Sequence, residues 1–213
     1  MEKQNQHLEQ LTEIRNIMDK STRFISLSGL SGVVAGIAAL AGAWLAYRYF
    51  GYNHYYPDMA EYLFRQDGVL TQDTLQFLLL DAAGVLAVAI GFGSIFTFRK
   101  ARKEGQHVWD RSGRRMLLNL MIPLSAGGIF TLILLYHGLV FLVPSATLIF
   151  YGLALLNASR YTLEDIRYLG LTEIVLGLIA AFFIGYGLLF WAIGFGVLHI
   201  VYGIIMYVKH DRK

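Results

Sequence analysis

The sequence predicts an all-α fold, a polytopic membrane helix bundle of six transmembrane helices arranged as three repeated helical hairpins. Three observations lead there. Of 213 residues, 56% are hydrophobic and 15% charged, where a soluble domain carries about 25% charge. The apolar residues form six continuous runs, each near the roughly 20 residues that cross a hydrocarbon core at about 1.5 Å per residue. Lys and Arg are divided unequally between the connections. Runs this continuous, rich in Gly, Ala and Leu, exclude the strands of a β-barrel, which would be about 10 residues long with in–out alternation. The absence of Cys excludes disulfides, iron–sulfur clusters and thiolate zinc sites.

Residues 1–23 form an amphipathic segment, with Leu8, Leu11, Ile14, Ile17 and Met18 among charged residues and Gln. Such a segment suits the inner membrane surface or a cytosolic partner. Glu2, Glu9, Glu13 and Asp19, together with the length of the following apolar run, argue against a cleaved signal peptide. The transmembrane domain is expected over 24–208. Its first span is Phe24–Tyr47, with small residues recurring at Ser28, Gly32 and Gly36 and at Ala35, Ala39 and Ala43. Small residues four apart share one helical face and allow helices to approach closely in lipid.

The outer loop, 48–74, is dense in aromatics, as expected of an interfacial cap. Within it, His54, Asp58 and Glu61 are of zinc-ligating types. Pro57 favours a helix start that leaves His54 outside, and no metal site is predicted. The second span, Leu75–Phe98, carries the stripe Ala83, Ala87, Gly91. Both striped helices are expected to pack on protein, within the bundle or in a homo-oligomer. The inner loop, 99–115, holds Arg99, Lys100, Arg102, Lys103, Arg111, Arg114 and Arg115. These are expected to face anionic lipid headgroups, with Trp109 as an interfacial anchor.

The third and fourth spans, Met116–Tyr136 and Gly138–Asn157, make a tight hairpin in which Pro144 kinks or starts the fourth helix. A short inner loop leads to a second tight hairpin, Tyr168–Gly187 and Leu188–Val208, and a tail, 209–213. With both termini inside, sixteen of the eighteen Lys and Arg fall on the inner side, and only Arg48 and Arg65 fall outside. The isoelectric point near 9.1 therefore reflects topology. Bases confined to helix ends, outside any recognised fold, give no support for nucleic-acid binding. The expected partners are the lipid bilayer and a second copy or another protein.

Ile90-Gly91-Phe92-Gly93 and Ile193-Gly194-Phe195-Gly196 repeat one tetrapeptide, and Phe150-Tyr151-Gly152 echoes Val201-Tyr202-Gly203. Aligned on these phrases, the even-numbered helices recur every 51 or 52 residues, which underlies the three-hairpin reading. The stretch from Asn157 through Tyr161 and Tyr168, followed by the Glu173 helix and Gly-Phe-Gly-Val-Leu-His199-Ile-Val-Tyr202-Gly, resembles a bacterial family of uncharacterised six-span membrane proteins. The resemblance spans the whole chain. It implies the six-span topology and an inner-membrane location, and it carries no established activity. The hairpin layout is also similar to the acid-resistance membrane protein family HdeD, by pattern only, with no residues to carry over.

Ionisable groups inside spans are costly and mark candidate functional positions. Asp81 lies about two turns into the second helix from outside, Glu173 one turn into the fifth from inside, and His199 near the middle of the sixth. Asn119, Tyr151 and Tyr202 are polar neighbours able to join them. One reading is a proton or cation path through Asp81, His199 and Glu173, making the chain a small proton-coupled transporter or channel. The other is local satisfaction, with His199 bonded to Tyr151 or Asn119 and Asp81 held in the first–second helix contact. His137 and His199 sit at different depths and do not suit a bis-His haem. No cofactor is predicted. The chain lacks nucleophile-elbow, zinc-protease, phosphate-loop and dinucleotide motifs. The favoured expectation is a non-enzymatic structural, regulatory or sensory membrane component.

Overall fold

In the computed structural model the described residues are 24, 27–50, 71–103, 105 and 108–212. The segment 1–23, the cluster His54, Asp58 and Glu61, and most of the aromatic outer loop lie outside them. Six long helices follow in order, and no strand occurs among the described residues. They are α1, Gly29–Phe50; α2, Gln72–Lys103; and α3, Arg111–Tyr136. Next come α4, Val143–Ala158, lengthened by single 3₁₀ turns at both ends, and α5, Asp165–Phe182. Last is α6, Ile184–Asp211. All but α5 are long and apolar enough to cross a membrane. α5 is 18 residues long and carries Asp165, Arg167 and Glu173.

The boundaries differ from the hydropathy reading where polar backbone finds partners. Phe24, expected to open the first span, is buried outside the helix. Its N–H donates to Tyr161 O at 2.8 Å and its carbonyl accepts from Thr162 Oγ1 at 2.7 Å. α2 and α3 extend past their apolar runs into the basic connection, where Asp110 caps α3 by accepting from the Gly113 N–H at 2.7 Å. Gly138, at φ 70°, turns the chain between α3 and α4. Pro144 sits in the first turn of α4, a position that needs no N–H donor. It starts the helix without kinking it.

α1 packs on α2 and α6, α4 packs on α3 and α5, and α6 also meets α4 and α5. The first two hairpins pair as expected. The members of the third pair more heavily elsewhere, α5 on α4 and α6 on α1. Glycine makes both of these contacts. A Cβ on Gly203 would lie 2.7 Å from both Gly29 O and Val33 N, and one on Gly36 would lie 2.6 Å from Gly196 O. Between α4 and α5, a Cβ on Gly152 would lie 2.6 Å from Gly170 O, and one on Gly170 would lie 2.8 Å from Gly152 O. The Gly32–Gly36 stripe therefore packs within the bundle, as read.

The α2 stripe does not pack there. Ala83, Ala87 and Gly91 are exposed in the single chain, and a Cβ on Gly91 or Gly93 would meet nothing within 4 Å. The repeated tetrapeptide thus has two fates: its glycines stand open in α2 and are tightly packed in α6. The outward faces of the bundle are apolar, with Leu80 64%, Ile122 67% and Phe182 86% exposed, which fits lipid as the surrounding solvent.

Two polar clamps close the basic end. Asp211 accepts from Ser28 Oγ at 3.1 Å and from the Gly29 N–H at 2.9 Å, and pairs with Lys100 Nζ at 2.6 Å. This joins α1, α2 and α6. Lys100, expected among the lipid-facing bases, is instead drawn inward, because a carboxylate at the start of α1 offers its ammonium a partner. Lys100 also donates to Leu27 O at 2.9 Å. In the second clamp, Lys209 Nζ and His210 Nε2 meet the Asp165 carboxylate at 3.0 and 2.9 Å. Residues 209–211, assigned to a tail from sequence, thus belong to the helix and to both clamps. Burial alone would raise the Asp165 carboxyl. Hydrogen bonds from His210 and Lys209, and their positive charge, outweigh it and hold the group below the usual carboxylate range.

Two outcomes follow for thermal unfolding in detergent. Gly203→Ala is expected to destabilise by on the order of 1–3 kcal/mol through overpacking, whereas Gly91→Ala leaves the midpoint unchanged or slightly higher. Equal effects at both sites would remove the glycine contacts as the basis of packing. Asp165 stabilises the fold above its unfolded pKa, near 4, and that contribution is lost as pH falls through its lower folded value. Asp165→Asn is therefore expected to cost less than about 1 kcal/mol at neutral pH, with the gap to wild type closing in acid. A gap that does not change with pH would contradict the linkage.

Candidate functional site

The inward faces of α4, α5 and α6 bring three side chains together. The Gly152–Gly170 contact draws α5 close to α4, and one turn farther along α5 the Glu173 side chain is fully buried. Gly194 of α6 leaves the space it occupies, since a Cβ there would lie 2.5 Å from Glu173 Oε2. The stretch Ala192–Leu198 is π-helical, a widening frequent at functional sites. It ends at His199, which is 7% exposed.

His199 is bonded through both ring nitrogens. Nδ1 lies 3.0 Å from Gly194 O and Nε2 lies 2.8 Å from Tyr151 Oη. A carbonyl only accepts, so Nδ1 carries the hydrogen. In the neutral ring Nε2 then accepts from the tyrosine hydroxyl. Glu173 Oε1 stands 3.5 Å from the same Nδ1, beyond good hydrogen-bond length, and neither carboxyl oxygen has a hydrogen-bond partner. Aromatic rings wall the pair in. Phe195 lies 5.0 Å from both Tyr151 and Trp191 and 5.8 Å from His199, centre to centre.

A carboxylate stripped of water and partners is expensive, so charge on Glu173 requires a compensating proton nearby. Two neutral arrangements satisfy that: a carboxylic acid beside neutral imidazole, or a carboxylate beside imidazolium. The second needs the extra proton on Nε2, the nitrogen that faces Tyr151, because Nδ1 already carries its hydrogen. Tyr151 is the titratable group facing it from α4. From α1 the neighbour is Gly32, against the His199 carbonyl.

The sequence candidates divide accordingly. Glu173, His199 and Tyr151 converge. Asp81 sits in the α1–α2 contact, where a Cβ on Gly42 would lie 3.3 Å from either of its carboxyl oxygens. Asn119 turns back to donate to Arg115 O at 2.8 Å, while its own carbonyl accepts from Asn157 Nδ2 at 2.9 Å. Tyr202 is half-buried on α6 and joins none of these bonds. His137 is exposed at the end of α3, edge-on to Tyr136. Gly194 was not foreseen as a site residue. The recurring Ile-Gly-Phe-Gly phrase five residues before His199 was its only trace in the sequence. The chain has no significant match to any protein-family model, curated protein or solved structure.

Glu173 contributes an unpaired polar group to an apolar core, so its removal is expected to help the fold. Glu173→Met, similar in volume, should unfold at the same temperature or higher, with a gain on the order of 1 kcal/mol. A large loss of stability would show that the carboxyl holds the bundle together.

Proposed function

We propose that this protein is a non-enzymatic, multi-pass component of a bacterial inner membrane with a regulatory or sensory role, in which Glu173, His199 and Tyr151 form a proton-responsive element. The observation that carries this reading is the fully buried, hydrogen-bond-free Glu173 carboxyl, 3.5 Å from His199 Nδ1. Removing the Glu173 proton leaves a bare carboxylate in an apolar interior. Breaking such a pair commonly costs about 3–5 kcal/mol. Parting α5 from α6, or admitting water between them, relieves that cost. Proton occupancy is thereby coupled to helix packing.

The orientation follows from charge. Lys100, Arg160, Arg167 and Lys209 gather with the two clamps at one end of the bundle, while Arg48 stands at the opposite end of α1. On the positive-inside rule, the clamped end faces the cytoplasm in this reading. Proton-coupled transport is the rival role for the same pair. The position of Asp81 in the α1–α2 contact weighs against the three-residue path.

Infrared difference spectra of the protein in nanodiscs test the reading. Raising the pH is expected to remove a carboxylic-acid stretching band and to alter the helix amide bands together, and Glu173→Gln is expected to abolish both changes. Amide bands indifferent to pH would end the proposal. Proton flux into liposomes that Glu173→Gln eliminates would replace it with transport.

A further inference from the structure

A second feature lies at the clamped end, away from the Glu173 pair. Trp109, Arg111, Arg114, Arg115 and Leu118 line an open groove of about 360 Å³. The residues at 111, 114, 115 and 118 follow helical spacing i, i+3, i+4, i+7 and so share one face of α3. The three arginines are exposed, and none has a carboxylate partner among the described residues. The nearest acid in sequence, Asp110, is turned away onto Ser112 Oγ at 2.9 Å and the Gly113 N–H at 2.7 Å, as the cap of α3. Trp109 is 66% exposed at the rim.

We propose that this groove binds the phosphodiester headgroup of an anionic phospholipid from the cytoplasmic leaflet. Guanidinium forks match phosphate oxygens two at a time, which ammonium groups do not. Below the arginines the same face presents apolar side chains: Leu118 is 60% exposed and Ile122 67%. A ligand held by its phosphate therefore continues along a hydrocarbon surface, as an acyl chain does and a soluble polyanion does not. Trp109 stands where indole rings favour the headgroup layer. The groove concentrates recognition in three of the seven bases of this region. Arg99, Arg102 and Lys103 are exposed but lie outside it. The site is independent of the proton-responsive reading.

The test uses the full chain in nanodiscs, with Trp44 and Trp191 replaced by Phe so that Trp109 is the sole emitter. Brominated phosphatidylglycerol is expected to quench Trp109 more strongly than brominated phosphatidylcholine at the same mole fraction. Arg111→Gln, Arg114→Gln and Arg115→Gln together are expected to remove that difference. Arg99→Gln, Arg102→Gln and Lys103→Gln together, an equal loss of charge, are expected to preserve it. Equal quenching by the two lipids overturns the proposal. So does an equal loss of the difference in both triple variants, which would mean diffuse surface charge. Suppression of the difference by inorganic phosphate at constant ionic strength would assign the groove to a free anion instead.

Discussion

Close backbone approach between helices is the constraint on which this structure depends. Lipid tails are as apolar as the side chains facing them, so burial supplies little drive for helices to associate. Contact must come from van der Waals packing at short range. The chain meets this demand with glycine at two crossings, α1 on α6 and α4 on α5, where a side chain on either helix would collide with the other's backbone. Everything at the centre follows from these two contacts. They align α4, α5 and α6 tightly enough to enclose a carboxyl, an imidazole and a phenol, with space left beside Gly194 for the acid.

Much of the architecture was legible in the sequence because the bilayer imposes a length and a solvent on every span. The six apolar runs became six helices, and the Gly32–Gly36 stripe marked a real contact face. What escaped was information carried by neighbours. The Ala83–Ala87–Gly91 stripe has the same spacing and chemistry as its counterpart in α1, yet it faces outward, because periodicity names a face without naming what covers it. Lys100 looked like any base in a basic loop until Asp211, over a hundred residues later, was folded against it. Hydropathy stopped the last span at Val208 because charge ends an apolar run, although the helix continues through Asp211 into both clamps.

At the site, sequence reasoning identified Glu173 and His199 as costly residues and named Tyr151 as a partner for the histidine. It could not group them, since three helices contribute one residue each. The grouping matters chemically. An isolated buried acid is simply neutralised, whereas an acid beside an imidazole has a second group close by that can hold a proton. The π-helical turn before His199 supplies the carbonyl that holds the ring in one tautomer, so the pair is oriented as well as adjacent. Asp81, at the α1–α2 seam, belongs to a different part of the molecule.

The pairing of α1 with α6 also bears on biogenesis. α1 has its principal partner in α6, with four helices between them in the chain, and Asp211 of α6 accepts from the Gly29 N–H at the start of α1. Until α6 has been made, the glycine face of α1 lacks this mate and its first turn lacks this acceptor. The α1–α6 contact can therefore close only after every helix between them has been made, so the glycine crossing that fastens the two is also a late one.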